Sequence, residues 1–336
     1  MKVGLGLIGL GYVGRTHLRN CFKINDAEVV AVSDISKRAL KLAENMGVKK
    51  SFKDYGQLLK DSQIDAVIIS LPTFLHANCA QEAAEAGKDI FLEKPLARNE
   101  TEGNEIVSTS RKFGVKLMVG YPFRFVSTFS SLRDKISTGV LGDIQTAYAS
   151  FIGEGPFVHR GSRIPHPVPS WWFKKEFVGG GSLIDQGCHL VNLLRWYFGE
   201  VKEATCYLGY RFNLDVEDHA VCVLKFSSGE TAIINVGWYS MKTQIRVEVL
   251  GTFQHATVDH RPSSKIVTGL QMLAGLTPRF SMPYFLELEH FVNCVRQDLL
   301  PSPSGKDALK DIETISLAYK NSMQLADLAK SAGEIG

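Results

Sequence analysis

Long apolar runs, a strong excess of one charge and ordered cysteine pairs are all missing from this 336-residue chain. No apolar run is long enough to cross a membrane, so we expect no membrane partner. The formal net charge is only +3 and no run of lysine and arginine is present, so we expect no nucleic-acid partner. What remains is an ordinary globular composition, with 45% hydrophobic and 22% charged residues.

The cysteines argue against a metal site and against disulfide bonds. All six are scattered and form neither a CxxC pair nor a zinc-binding spacing. Thiols distributed in this way are typical of reduced, packed side chains. We therefore expect a cytoplasmic protein without a metal site.

The most informative feature that is present is a glycine motif near the start. A predicted strand, Lys2–Ile8, runs into Gly9-Leu-Gly-Tyr-Val-Gly14, and a helix is predicted from about Arg15. In this context G-x-G-x-x-G allows a tight turn, the approach of a pyrophosphate and close helix packing. Asp34 ends a second predicted strand 20 residues beyond Gly14, where a carboxylate can hold ribose hydroxyls. The motif predicts a dinucleotide site; the alternative is a glycine-rich turn of another α/β protein.

The pattern of elements divides the chain in two. Up to about Gly120, apolar strands alternate with helices, which indicates a doubly wound parallel sheet buried on both faces. Beyond Pro122 the strands become longer and alternate in polarity, which favours an antiparallel sheet packed on one face. We predict a dinucleotide-binding domain over residues 1–122 and a second α/β domain over residues 123–336. The large, mostly antiparallel open sheet of the second domain needs a cover, which a homo-oligomer would provide.

Two loops follow predicted strands where a ligand of such a sheet would lie. In the first, Ser70–His76, Pro72 fixes the loop and Thr73 can hydrogen-bond; the alternative is a plain connection with Thr73 as N-cap.

The second loop is Glu93-Lys94-Pro95. A lysine that leaves an apolar strand into a cleft is a strong donor to a substrate hydroxyl, and its bond to Pro95 is a candidate cis peptide. The alternative is a surface Glu-Lys pair before a proline-started helix.

A third segment, Asp185-Gln-Gly-Cys-His189, lies in a helix predicted over Leu183–Phe198. A spacing of four places Asp185 and His189 on one helical face. Asp185 is in the first turn, where the helix dipole stabilises a carboxylate, and an imidazole can accept a hydroxyl proton near neutral pH. The alternative is a polar helix start with an incidental histidine.

Taken together, these segments resemble the glucose–fructose oxidoreductase / inositol dehydrogenase / rhizopine catabolism (Gfo/Idh/MocA) family. The resemblance spans nearly the whole chain and is carried by GLGYVG at 9–14 with Asp34, EKP at 93–95, GGGSLIDQGCHLVNLLRW at 179–196, VEDHAVCVLKFSSG at 216–229 and YFLELEHFVNCVRQ at 284–297.

The resemblance implies a Rossmann domain followed by an α/β domain whose open sheet forms homodimer or homotetramer contacts. It implies reversible, nicotinamide-dependent oxidation of a secondary hydroxyl of a sugar, sugar derivative or cyclitol. Matched by position, Lys94, Asp185 and His189 are the expected catalytic residues, with His189 as acid/base. The expected cofactor-binding residues are Gly9, Gly11, Tyr12, Val13, Gly14, Asp34, Arg38, Leu71, Pro72, Thr73, His76, Glu93 and Lys94. The expected substrate-binding residues are Lys94, Arg124, Trp171, Trp172, Asp185 and His189.

Two positions depart from the family's common pattern. Pro122 stands where many relatives have asparagine, and Asn192 stands where many have a second acid after the histidine. The first weakens the transfer of a substrate contact to position 122. The second argues against assuming ordinary inositol dehydrogenase specificity.

For the cofactor, Asp34 favours NAD because its charge would repel a 2′-phosphate. Lys37 and Arg38 follow closely and could neutralise that phosphate, so NADP stays open.

The substrate is less constrained. His159, Arg160, Arg163 and His166, with Arg124, could hold a uronate or a nucleotide sugar, or they could form a solvated basic loop. Trp171 and Trp172 could form a platform for a sugar ring, or pack in the core. A nucleotide-sugar or uronate dehydrogenase, a non-catalytic NAD(P)-binding regulator and a structural α/β protein are the alternative functions.

Overall fold

The computed structural model describes residues 2–157, 168–260 and 282–324. The described residues form two compact units. The first runs to Phe125 and also takes in residues 282–309; the second runs from Val126 to His260 and from Lys310 onward. This division differs from a single boundary at residue 122. The physical reason is that Leu288 and Phe291, on a helix far along the chain, are buried in the core of the first unit.

The first unit is built on a six-stranded parallel sheet with the order β3-β2-β1-β4-β5-β6. Its strands are β1 (Val3–Ile8), β2 (Ala27–Ser33), β3 (Lys50–Phe52), β4 (Ala66–Ile69), β5 (Asp89–Glu93) and β6 (Leu117–Gly120). The predicted parallel sheet is confirmed. β3 was not expected, because three half-buried residues carry no periodic signal. The neighbouring strands β1 and β4 mark the point where the strand order reverses, which is where ligands bind in such sheets.

Helices connect these strands. They span Tyr12–Cys21, Lys37–Asn45, Tyr55–Leu59, His76–Glu85 and Glu100–Lys112, and Met282–Arg296 also belongs to this unit. The helix Met282–Arg296 contacts the first helix and β1, β5 and β6. Its apolar residues therefore replace water on one face of the sheet, which explains why this late segment belongs to the first unit.

The second unit contains a seven-stranded sheet with the order β12-β11-β7-β10-β9-β8-β13. Its strands are β7 (Ile144–Ile152), β8 (Val201–Gly209), β9 (His219–Phe226), β10 (Thr231–Gly237), β11 (Gln244–Gly251), β12 (His255–His260) and β13 (Ser322–Gln324). Only the β7–β10 and β8–β13 pairs are parallel, so the sheet is mostly antiparallel, as expected. One face is open: along β9, Val221 and Val223 are exposed while Cys222 and Leu224 are buried.

Three helices pack against this sheet: Ser127–Ser137, Ser182–Asp185 and Gly187–Phe198. The unit also contains the short helix Lys175–Val178, and it takes in the last helix, Gly305–Lys320, from Lys310 onward. The sequence pattern predicts a last helix over Lys306–Ala332, whereas the helix ends at Lys320, because the chain leaves it to pair with β8. Asn321 stabilises this change by donating its Nδ2 to the Ala204 carbonyl and accepting from Thr205 Oγ1. Residues 325–332 of that prediction lie outside the described residues.

Two general expectations can be compared with the fold. Among the described residues, none of the helices combines the length and apolar character required to span a membrane. All six cysteines are buried thiols.

Candidate functional site

The glycine turn after β1 has the geometry that the motif predicts. Gly9 has a φ of +90° and Gly14 packs so closely that a Cβ there would lie 2.0 Å from the Gly9 carbonyl oxygen. A Cβ on Gly11, in contrast, would meet nothing within 4 Å. Gly9 and Gly14 are therefore required by the protein's own packing, whereas Gly11 leaves space for a ligand.

The start of the first helix offers an anion site. Gly11 is its N-cap and provides no side-chain cap, and no acidic residue occupies the first turn. The first-turn amides of Tyr12, Val13 and Gly14 have no partners within the helix. These amides and the helix dipole favour a bound phosphate, so the residues present fit a dinucleotide.

Asp34, just after β2, is held beside this turn. Its Oδ2 accepts from the Leu10 amide at 2.6 Å and its Oδ1 accepts from the Ser36 amide at 2.7 Å. Each carboxylate oxygen keeps a lone pair with which it could accept from a ribose hydroxyl. Arg38 is exposed on the following helix, and Ile35 is 90% exposed.

The loops after β4 and β5 are held together by His76. Its Nε2 lies 2.9 Å from the Leu71 carbonyl oxygen and its Nδ1 lies 3.0 Å from the Pro95 carbonyl oxygen. Burial lowers the pKa of His76. Both ring nitrogens thus face backbone, so His76 positions the two loops. Thr73 begins a 3-10 segment, Thr73–Leu75, whose N-cap is Pro72, and the alternative with Thr73 as N-cap is wrong.

Glu93 and Lys94 lie at the carboxyl end of β5. Glu93 is buried; its Oε1 lies 2.5 Å from His17 Nε2 and its Oε2 accepts from the Lys94 amide at 3.2 Å. Lys94 is half-buried, and the Lys94–Pro95 peptide is cis, as predicted. The alternative of a surface pair before a helix is wrong, because Glu93 is buried and the next helix begins only at Glu100.

In the second unit, the helix that carries Asp185 and His189 is interrupted. Asp185 ends the single-turn helix Ser182–Asp185, and a new helix begins at Gly187. The prediction of one continuous helix is wrong here, because the His189 amide bonds to the Gln186 carbonyl, three residues back. Asp185 is half-buried, whereas His189 is buried and its ring lies 6.0 Å from that of Phe151.

A buried acid that the sequence did not single out supports this segment. Glu217 accepts from the amides of Gly181 and Leu183, both at 2.9 Å, and from the Tyr319 hydroxyl at 2.8 Å. Burial raises the pKa of Glu217. Its carboxyl group fixes the triple-glycine turn from which the Asp185 helix starts. Glu217 lies in the VEDHA segment, which supports the family resemblance but gives no local signal for a buried acid.

Asn192 has a structural contact that accounts for its departure from the family pattern. Its Nδ2 donates to Asp311 Oδ2 at 2.6 Å, and Arg195 Nη1 donates to Asp311 Oδ1 at 2.6 Å. All three residues are buried. Position 192 therefore contributes to a polar network inside the second unit.

The expected substrate residues are distributed over both units. Arg124 lies in the first unit, with Nη1 at 3.5 Å from Ser302 Oγ. Trp171 and Trp172 lie in the second unit, in the 3-10 segment Ser170–Phe173, with ring centroids 6.2 Å apart. Both tryptophans are half-buried, so neither is fully packed in the core. His159, Arg160, Arg163 and His166 lie outside the described residues.

The structure thus brings the glycine turn, Asp34, the loop at 71–73 and Lys94 to the carboxyl edge of the parallel sheet in the first unit. It places Asp185 and His189 on consecutive helices of the second unit.

Known proteins are similar to this chain in sequence. An oxidoreductase family with an NAD-binding Rossmann fold matches residues 3–121, and the GFO/IDH/MocA C-terminal domain matches residues 129–256. The chain is 30% identical to myo-inositol 2-dehydrogenase of Thermotoga maritima, over 95% of this chain and 96% of that protein. It is also 30% identical to scyllo-inositol 2-dehydrogenase (NAD(+)) of Bacillus subtilis, over 96% and 94%.

Solved structures have a similar fold. A probable dehydrogenase from Thermotoga maritima is 26% identical, with a TM-score of 0.82 and coverage of 95% and 96%. The scyllo-inositol dehydrogenase from Lactobacillus casei with bound NAD(H) and scyllo-inositol has a TM-score of 0.81 and coverage of 96% and 97%; at 20% identity it supports the fold alone. Because both family models match in order and together cover most of the chain, this protein belongs to the Gfo/Idh/MocA family of NAD-binding oxidoreductases.

Proposed function

We propose that this protein is an NAD-dependent dehydrogenase that oxidises a secondary hydroxyl of a cyclitol or a related sugar. The observation that carries the proposal is the edge of the parallel sheet, where an open glycine turn, a fixed Asp34 and Lys94 all follow strand ends. The inositol dehydrogenases among its relatives support the cyclitol class.

In this proposal each catalytic side chain has one task. The nicotinamide, when bound, supplies the hydride acceptor. The Lys94 ammonium donates a hydrogen bond to the alcohol oxygen, His189 accepts the hydroxyl proton, and Asp185 orients the substrate or His189. Glu93 fixes the main chain at Lys94 by accepting from its amide.

The test is a screen for reduced nicotinamide with NAD and with NADP over inositols, aldoses, uronates and nucleotide sugars. Turnover is expected with NAD and a cyclitol or sugar. Lys94→Met should lower kcat by about 10²-fold or more, whereas Lys53→Met, at an exposed lysine of the same unit, should not. Activity only with uronates or nucleotide sugars would select that alternative. Binding of NAD without any turnover would favour a regulator and contradict the proposal.

We also propose that the open face of the seven-stranded sheet forms a homodimer or homotetramer contact. Tyr148, Tyr207, Val221 and Val223 are 44%, 37%, 38% and 37% exposed, an unusual set of apolar side chains for a solvated sheet face. A cavity of about 290 Å³ on this face is lined by Tyr148, Ser150, Val221, Ile233, Asn235 and Arg246. Light scattering of the purified protein should give twice or four times the 37.2 kDa chain mass.

A cytoplasmic location is proposed from the cysteines. All six are buried thiols, and burial raises the pKa of Cys21 to about 12, which suppresses its reactive thiolate. Such thiols are suited to a reducing compartment. Cell fractionation tests the location.

A further inference from the structure

A buried cluster of titratable side chains lies next to Lys94. It comprises His17 on the first helix, Glu93 at the end of β5 and Glu287 on the helix Met282–Arg296. One ring nitrogen or carboxylate oxygen from each lies within 4.8 Å of the others. His17 and Glu287 have no exposed surface and Glu93 is 8% exposed. Charges in such a place must be neutralised or shared.

The hydrogen bonds of His17 indicate its protonation state. Its Nε2 lies 2.5 Å from Glu93 Oε1, whereas its buried Nδ1 has no hydrogen-bond partner. A charged imidazolium would bury an unsatisfied N–H at Nδ1, but a neutral ring leaves only a lone pair there. The neutral tautomer that donates from Nε2 is therefore favoured. Glu93 is then the ionised acceptor, and it also accepts from the Lys94 amide.

Glu287 must differ from Glu93 in its protonation state. Neither of its carboxyl oxygens has a hydrogen-bond partner, so an ionised Glu287 would be both unsolvated and close to a second negative charge. Burial, and after it the charge of Glu93, raise the pKa of Glu287 well above its usual value. A protonated carboxyl group avoids the repulsion by Glu93 and replaces an unsolvated charge with a neutral group, which costs less to bury.

We propose that His17, Glu93 and Glu287 form a buried triad that holds a single negative charge on Glu93, keeps Glu287 protonated and thereby positions Lys94. The positioning role rests on the proposed function; the charge distribution does not. Among the described residues, the other titratable groups close to the triad are Tyr284, whose ring centroid lies 5.8 Å from that of His17, the buried His76, on which the charge of Glu93 acts, and Lys94 itself.

A metal ion is the alternative occupant of such a group of ligands. Two ligands of one tetrahedral zinc ion lie about 3.3 Å apart, because each is about 2.0 to 2.2 Å from the metal. The separation of 2.5 Å between His17 Nε2 and Glu93 Oε1 is that of a hydrogen bond. The geometry therefore favours a shared proton over a metal.

The decisive experiment compares Glu287→Gln with the wild-type protein in thermal unfolding across pH, without substrate. Because the folded pKa of Glu287 is raised above its unfolded value of about 4.3, the folded state binds more protons above that pH. Wild-type stability is thus reduced as pH rises through this window, and the neutral glutamine escapes the loss. The Tm of Glu287→Gln relative to wild type should rise by about 2 °C or more between about pH 5 and about pH 8. Glu289→Gln, at a half-buried acid on the same helix, should show no such trend.

Two results would overturn the charge distribution. One is a relative Tm of Glu287→Gln that falls as pH rises, which would mean an ionised Glu287. The other is a stoichiometric metal in the purified protein by elemental analysis.

The positioning role has a kinetic readout. Glu93→Gln replaces one of the two accepting oxygens with an NH2 donor, which no longer matches the donor that faces it, either His17 Nε2 or the Lys94 amide. This variant should lower kcat by about tenfold with little change in KM for NAD. Glu289→Gln, at a half-buried acid of the same helix that lies outside the triad, should keep kcat within about twofold. Equal losses of kcat in the two variants would contradict the proposal. An inactive wild type with the expected pH trend would remove the proposed function and leave the charge distribution intact.

Discussion

The two sheets of this protein differ in how they are covered. Every residue of β1 and β4 in the parallel sheet is buried, whereas β9 in the second sheet alternates between buried and exposed side chains. A sheet covered on both faces can present chemistry only at its strand ends, and the glycine turn and Lys94 both lie there. A sheet with one open face has a second use, as a surface for association.

Polar side chains in the two units also differ in which segments they hold in place. In the first unit, Asp34 and His76 hold loops at the edge of the sheet. In the second unit, Glu217 and Asp311 are buried deep among helices and strands and fix the segments that carry Asp185 and His189. We therefore expect changes in the first unit to alter cofactor binding, and changes in the second unit to alter proton transfer at His189 and stability.

The largest expected effect separates chemistry from cofactor binding. His189→Ala should lower kcat by about 10² to 10⁴-fold, because it removes the group that accepts the hydroxyl proton. NADH affinity, measured by fluorescence titration, should change little. His255→Ala, at an exposed histidine of β12, is the control. A near-normal kcat in His189→Ala would remove the assignment of the catalytic helix.

Stability of the second unit depends on its buried ion pair. Asp311→Leu leaves the Arg195 guanidinium and Asn192 without their shared acceptor and should destabilise the protein by about 3 to 5 kcal/mol. Glu313→Ala, on the same helix, breaks only a partly exposed pair with Lys310 and should cost less than about 1 kcal/mol. Chemical denaturation measures both, and similar losses in the two variants would refute the distinction.

A substitution in the first unit should alter the preference for NAD over NADP. Asp34→Asn keeps an acceptor oxygen for a backbone amide but removes the charge that opposes a 2′-phosphate. The ratio of kcat/KM for NAD to that for NADP should fall by about tenfold. Lys37→Asn, at an exposed position nearby, should not lower this ratio. A strong NADP preference in the wild-type protein would overturn the role given to Asp34.

The smallest effect on folding is expected at the open face. Val223→Glu places a charge on an exposed position of β9 and should change the free energy of unfolding by less than about 0.5 kcal/mol in the monomer. It should nevertheless shift the oligomer toward monomers in light scattering. Leu224→Ala, at the adjacent buried position, should instead cost about 2 to 5 kcal/mol. An unchanged assembly in Val223→Glu would exclude this part of the face as the contact.

Much of the first unit could be predicted because its signals are local. The apolar strands, the glycine turn and the Lys94–Pro95 bond depend on residues adjacent in the chain. The short strand β3 and the break at Gln186 could not be predicted in this way. β3 forms because its backbone pairs with β2. The helix is interrupted at Gln186, although the helical pattern of the sequence continues through this residue.

The amino-acid sequence alone determined the class of the protein, the parallel sheet and the cofactor motif, since periodicity and turn chemistry are set by neighbours in the chain. Only the tertiary structure decided which distant residues share a core. It placed Leu288 and Phe291 with the first unit, and it brought Glu287 to His17 and Glu93. The physical reason is that burial and charge compensation are properties of three-dimensional neighbours, and no spacing along the chain records them.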